Sequence, residues 1–325
     1  MGRLGDRRVF YALGAAAQTL DAWRALGALK PKLDQPTRTL KNRAMYNPRS
    51  QTRPTRGGGG LRLLPIILFA AYLGYYWLSN REQAPITGRT QLIDISREQE
   101  SALGLASYQD ILQQEDVVES GQAKELVEQI GERIAKASQA WDPGFDWRYS
   151  LIRSDQKNAF CLPGGKVAVY SGILPIAANP DGLAAIMGHE IAHALLRHGA
   201  ERMAQQKLVQ IGSLAANMAT GDMDPGARQA VMGALGVGAQ FGILLPFSRD
   251  HESEADKVGL MLMAKACFDP REAPRLWERM GAAATGQPSE FMSTHPAHET
   301  RIRQLNEWMP EALNTFAANC PPVGS

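Results

Sequence analysis

The stretch Asn179-Pro-Asp-Gly-Leu-Ala-Ala-Ile-Met-Gly-His-Glu-Ile-Ala-His-Ala-Leu-Leu-Arg-His-Gly199 decides how the rest of the chain is read. His189 and His193 stand four residues apart, so a helix places both imidazoles on one face, where they can address a single metal ion. Glu190 lies between them and is placed to act as a general base on water beside that ion, not as a ligand. The helix has clear boundary signals. Asn179 suits the N-cap and Pro180 the first helical position, Arg197 and His198 suit a last turn, and Gly199 can close it.

Two histidines need a third ligand. One pattern would place glycine and histidine three and six residues after His193, but Leu196 and Gly199 occupy those positions, so a carboxylate from a later helix is required. Ser248-Arg-Asp-His-Glu-Ser-Glu-Ala-Asp-Lys-Val-Gly-Leu260 offers Glu252 and Glu254. On a helix Glu252 shares a face with Asp256, while Glu254 points nearly opposite. Glu252 as ligand, with Asp256 holding a ligand histidine by its free ring nitrogen, makes a carboxylate–histidine–metal arrangement. His251 falls on another face and reads as solvent-facing or packed; His198 and His298 have no metal role that the sequence supports. The plain alternative is a charged helix surface.

The chain has 325 residues, 44% of them hydrophobic, enough for at least one full core. Its net charge of +2 conceals an asymmetry: residues 1–60 hold 12 Lys/Arg against 3 Asp/Glu, the remainder 23 against 30. The basic arm lacks dense Lys/Arg blocks and leads directly into an apolar run, which favours membrane topology over nucleic-acid binding. Cys161, Cys267 and Cys320 have no metal-type spacing. Cys267 and Cys320 can pair in an oxidising compartment or stay as buried thiols.

Residues 1–60 read as a largely flexible arm, with a short helical pattern near Val9–Leu29. Leu63–Ser79 is uncharged over 17 residues and would reach about 26 Å as a helix, close to a bilayer core. Arg62 flanks one end and Tyr75, Tyr76 and Trp77 the other, so residues 61–80 are expected to anchor the chain with its basic side in the cytoplasm or mitochondrial matrix. Residues 81–95 read as a polar linker, and 96–325 as one catalytic domain. Ser96–Gln114 and Gln122–Ser138 are expected to be helices, Trp147–Arg153 a strand, and Asn158–Tyr170 two extended runs about a Pro-Gly-Gly turn. Residues 201–247, rich in small and apolar side chains, read as a helical hairpin packed in the domain or dipping into the membrane interface, with a second span as the alternative.

The element Ser248, Arg249, Glu252, Ala255 and Asp256, together with the His189–His193 motif, resembles the membrane-associated zinc metalloendopeptidases related to the CAAX-prenyl protease and HtpX. The likeness extends through Asn158–Tyr170, residues 266–270, 277–280 and 293–296, and covers roughly residues 85–320. It is nearest to the mitochondrial inner-membrane branch and its bacterial relatives. The resemblance implies an α+β, mainly helical gluzincin domain with a small sheet beside the metal helix. It further implies one zinc held by His189, His193 and Glu252, Glu190 as catalytic base, and Asp256 and Arg249 supporting the ligands. His295 matches a histidine that stabilises the oxyanion or serves as a removable fourth ligand, and Arg301 a partner near the same site, so that His295 or Arg301 is expected to be the catalytic group stabilising the oxyanion. Asn158 and Ala159 match the edge strand that aligns substrate backbone.

The expected function is therefore zinc-dependent hydrolysis of peptide bonds in unfolded or membrane-proximal proteins, as protein quality control. The competing reading is a zinc-latched chaperone or assembly factor closed by His295. Expected partners are polypeptides and a membrane, with no nucleic acid; a homo-oligomer is compatible. The arm lacks the serine enrichment of a transit peptide, which favours a bacterial inner membrane with a periplasmic domain over a mitochondrial one facing the intermembrane space.

Overall fold

In the computed structural model the described residues are 63–239, 245–283, 290–295 and 299–321. The arm of residues 1–60, its Val9–Leu29 pattern and His298 lie outside them. Helix α1 (Leu63–Asn80) carries the apolar run, and strands β1 (Arg81–Gln83) and β2 (Thr90–Leu92) follow without a break. The stretch read as a polar linker is thus a two-stranded hairpin, with Arg81 opposite Leu92. Its three-residue strands are too short to give an alternating pattern.

Helix α2 (Arg97–Leu112) begins in a capping box: the Ser96 hydroxyl accepts from the Gln99 amide, and the Gln99 side chain accepts from the Ser96 amide. Helix α3 (Gln122–Ser138) buries Val127, Ile130 and Ile134 one turn apart. Gly131 admits the Tyr149 ring, which any side chain there would strike. Tyr149 belongs to β3 (Arg148–Ile152), which pairs in parallel with β5 (Lys166–Tyr170), while β4 (Ala159–Leu162) pairs antiparallel on the other side of β5. The strand order is therefore β3-β5-β4, and β4 is an edge. Gly164 and Gly165, both at positive φ, make the β4–β5 turn.

A short helix α4 (Leu174–Ala177) leads to α5 (Pro180–Leu195), the central element, buried over nearly its whole surface. Asn179 caps it as expected, accepting from the Gly182 amide at 2.8 Å. Its end differs from expectation. The chain turns at Arg197, which holds φ 62°, and Gly199 already lies in α6 (His198–Ala219). A left-handed arginine is tolerated because its guanidinium is fixed by Glu100 at 2.8 Å, Glu82 at 2.8 Å and the Ile95 carbonyl at 2.9 Å.

Helix α7 (Pro225–Ala239) folds back against α6. Helix α8 (Leu245–Lys265) crosses α5, and α9 (Glu272–Ala283), α10 (Glu290–Thr294) and α11 (Glu299–Asn319) complete the helical layer. Cys267 and Cys320 form a disulfide that ties the end of α11 to the turn after α8. The crossing of α5 and α8 is a glycine contact: a Cβ on Gly259 would stand 2.8 Å from the His189 amide nitrogen. Gly259→Ala is therefore expected to force the helices carrying His189 and Glu252 apart and to cost about 1–3 kcal/mol, as overpacked cores do. Urea denaturation measures this, and an unchanged midpoint would show that the crossing can relax freely.

Candidate active site

Helix α5 presents His189 and His193 on one face, and α8 brings Glu252 against them. The two Nε2 atoms are 3.0 Å apart. Glu252 lies 3.3 Å from His189 Nε2 and 3.4 Å from His193 Nε2. His295, at the end of α10, brings Nδ1 within 3.1 Å of His189 Nε2 and 2.9 Å of Glu252 Oε1. These four ligand atoms lie within 4.8 Å of one another.

The donor set fits a metal ion. His189 Nδ1 lies 2.9 Å from Asp256 Oδ1, so that nitrogen carries the proton and donates. His193 Nδ1 lies 2.9 Å from His198 Nδ1, and His198 Nε2 is 3.2 Å from Glu254 Oε2; the consistent assignment has His193 donating to His198 and His198 to Glu254. Both Nε2 lone pairs then face each other and a carboxylate, a repulsive arrangement that a bound cation relieves. The spacings match the edge of a tetrahedron about zinc, roughly 3.3 Å for bonds of about 2.0–2.1 Å.

Each helix histidine has its own support. Arg301 grips Asp256 through both Nε and Nη2, reaches Glu252 at 3.0 Å and lies 3.6 Å above the Trp277 ring. Burial alone would raise the Asp256 carboxyl, but the Arg301 charge and the His189 hydrogen bond hold it below its usual range. On the His193 side, Arg89 of the β1–β2 hairpin pairs with Glu254 at 2.6 Å and Glu201 at 2.6 Å. His251 is buried, stacked on His198 at 4.3 Å and 2.8 Å from Glu201, so its solvent-facing alternative is ruled out. Arg249 is exposed and stands apart from this network, contrary to the supporting place expected for it.

His198, Glu254 and Arg89 were not legible as site residues. His198 is five residues past His193 and enters only because the chain reverses at Arg197, while Arg89 arrives from the hairpin. We expect His198→Ala to weaken zinc binding about 10–100-fold, the effect usual for outer-shell partners. Chelator competition measures it. Burial opposes ionisation of Glu201, yet hydrogen bonds from Arg89 and His251 hold its carboxyl down at about 2. Its stabilising contribution is thus complete above the ordinary range near 4.5 and is lost as pH falls towards 2. Glu201→Gln should flatten that acid limb of stability, as read by thermal melts between those pH values.

Glu190 is buried beside this cluster. Its Oε1 lies 3.3 Å from His295 Nε2, without hydrogen-bond alignment, and has no partner among the described residues. Burial raises its carboxyl above the ordinary glutamate value. The edge strand β4 runs against α5, and its start is marked by Asn158, whose Oδ1 accepts from the Ala159 amide at 3.0 Å.

The family described as peptidase family M48 matches residues 122–309, more than half of the chain. The chain belongs to peptidase family M48. It is 40% identical over 245 residues to the mitochondrial metalloendopeptidase OMA1 of Schizosaccharomyces pombe, covering 74% of this chain and 69% of that protein. Against the OMA1 of Saccharomyces cerevisiae the identity is 33% over 284 residues, 81% of this chain and 79% of that one. It is also 27% identical over 235 residues to the beta-barrel assembly-enhancing protease of Yersinia pestis, covering 69% of this chain and 47% of the relative. M48 membership makes this protein a metalloendopeptidase, and the mainly helical domain with its small sheet agrees with the expected fold.

Proposed function

We propose that this protein is a membrane-anchored zinc endopeptidase that cleaves unfolded or membrane-proximal segments of other proteins, as quality control in a bacterial inner membrane or a mitochondrial one. The observation that carries the reading is the convergence of His189, His193 and Glu252 lone pairs beside a buried Glu190 oxygen with no hydrogen-bond partner among the described residues. A purely structural metal site has no use for that oxygen.

Zinc held by His189, His193 and Glu252 would supply Lewis acidity, polarising a carbonyl and bringing the pKa of water towards about 7. Glu190 then takes the proton from the attacking water and delivers it to the leaving nitrogen. Arg301 neutralises Asp256 and Glu252 behind the histidines, a positioning role. That leaves His295, whose Nε2 faces Glu190, as donor towards the developing oxyanion. The free edge of β4, from Asn158 and Ala159, suits an extended substrate added as a further strand. The basic arm favours the cytoplasmic or matrix side, which puts the catalytic domain across the membrane.

The test is casein cleavage by the purified full chain in detergent. Cleavage should be abolished by a chelator and restored by added zinc; undiminished activity in the metal-free protein would overturn the reading. One observation favours a second reading. His295 Nδ1 stands where a fourth ligand would, 2.9 Å from Glu252 Oε1, which suits a latched site with a chaperone or assembly role. Bound zinc without cleavage in the wild type, and cleavage gained in His295→Ala, would support the latch.

A further inference from the structure

We propose that the α6–α7 hairpin is inserted in the lipid bilayer beside α1, so that the chain enters the membrane again between the two halves of its metal-ligand set. This rests on reading α1 as the membrane span. The first observation is the way α6 runs down α1. Tyr76, Tyr72, Ala204 and Leu208 pack in one cluster with Leu92, and farther along Gly212 lies against the Phe69 ring, where a Cβ would come within 3.0 Å. Steps of four and then three residues back along α1, from Tyr76 to Tyr72 to Phe69, are met by four-residue steps forward along α6, from Ala204 to Leu208 to Gly212, so the helices lie antiparallel side by side. Lys207, paired with Asp94, marks the upper end of this contact. From Lys207 to Ala219, the last residue of α6, the helical rise is about 18 Å, more than half of a hydrocarbon core.

Charge placement agrees. Leu208–Gly221 contains no charged residue, and neither does Gln229–Ser248; Asp222, Asp224 and Arg228 gather at the tip, Lys207 and Arg249 at the base. Among the described residues the hairpin has little protein around it. Leu214, Met218 and Leu235 are 61%, 56% and 49% exposed, beside an α1 that exposes Leu64, Ile67 and Leu68 to a similar degree. In water this would be one large continuous apolar patch; in lipid it is an ordinary surface.

Between Leu208 and Gly221 the polar side chains bond back to the backbone of their own segment, as lipid requires. Ser213 donates to the Val209 carbonyl at 2.8 Å, Asn217 to that of Ser213 at 3.1 Å, and Thr220 to that of Ala216 at 2.8 Å. Arg228 at the tip donates to Asn217 Oδ1 at 3.1 Å. Gln210 is the exception and stays exposed. The low hydrophobicity that made this stretch unlike a span has a packing reason: small residues such as Gly212 let α6 approach α1 closely.

The experiment uses the full chain in sealed lipid vesicles with the catalytic domain outward, in a Cys161→Ser background that keeps the Cys267–Cys320 disulfide. Single cysteines are placed by Leu214→Cys and Leu235→Cys in the hairpin, Leu68→Cys in α1 and Glu119→Cys on the exposed domain surface. A membrane-impermeant maleimide should label the hairpin and α1 positions roughly tenfold or more slowly than the Glu119 position, until detergent is added. If the Leu68 position is protected while the hairpin positions label like Glu119, the proposal fails and the anchor stands. Fast labelling at all three overturns both. Protection that persists in detergent would mean that protein, a second copy of this chain, covers the hairpin, and would also overturn the proposal. Should Leu214→Cys fail to accumulate, Met218→Cys reports on the same helix.

Discussion

Glu190→Gln should keep its zinc and lose casein cleavage by roughly 10²–10⁴-fold, the usual contribution of a positioned acid–base group. The substitution preserves shape, so the packing of α5 against α8 and the three ligand side chains are undisturbed. What it removes is the proton acceptor. Glu190 Oε1 has no hydrogen-bond partner among the described residues and stands at the edge of the donor cluster, so an amide there costs the fold nothing evident. The paired measurement is metal content and cleavage rate on one preparation. A variant that cleaves casein at near the wild-type rate would remove Glu190 from the chemistry, whatever its zinc content.

Glu252→Ala should act on both metal and fold. Without the carboxylate the site keeps His189, His193 and the His295 nitrogen, and zinc occupancy should drop well below one per chain with cleavage at background. Glu252 also takes part of the Arg301 charge, at 3.0 Å and fully out of water. Removing one partner of a buried ion pair typically destabilises by about 3–5 kcal/mol, because the remaining charge is left short of compensation. Asp256 still holds Arg301, so the lower end of that range is expected here. Chelator competition and urea denaturation read the two effects separately. Wild-type zinc affinity in this variant would point to a different third ligand, with Glu254 the first candidate.

Much of this site was readable because its donors follow local geometry. His189 and His193 share a face by helical period, and Glu252 and Asp256 do so for the same reason on α8. The cap at Asn179 is likewise a local signal. The end of α5 was not readable, because Arg197 turns the chain through contacts with Glu82, Glu100 and the Ile95 carbonyl, all about a hundred residues away. His198 and Glu254 were misjudged for a related reason: His198 meets His193 only because the chain reverses at Arg197, and Glu254 joins the site through its bond to His198. The parallel pairing of β3 with β5 was also hidden, since the adjacent runs of 158–170 advertise only the β4–β5 hairpin. The 201–247 region was read as a helical hairpin packed in the domain or dipping into the membrane interface, with a second span as the alternative; among the described residues α6 lies along α1, α7 folds against α6, and Leu214, Met218 and Leu235 are exposed.

The direct passage from α1 into β1 determines the reach of the enzyme. Asn80 ends the helix and Arg81 begins the strand, while Glu82 and Arg89 bolt the hairpin to Arg197, Glu201 and Glu254. No slack separates the anchor from the catalytic body, so the domain is mounted on its helix and not leashed to it. With α1 as the proposed membrane anchor, the metal site would stand at a set height above the lipid. On the proposed function, a substrate held in the same bilayer would be cut at a bond selected by its distance from the membrane surface as much as by the side chains around it. Inserting a flexible glycine–serine segment between Asn80 and Arg81 would turn that fixed gauge into a loose one, spreading a single cut into a ladder.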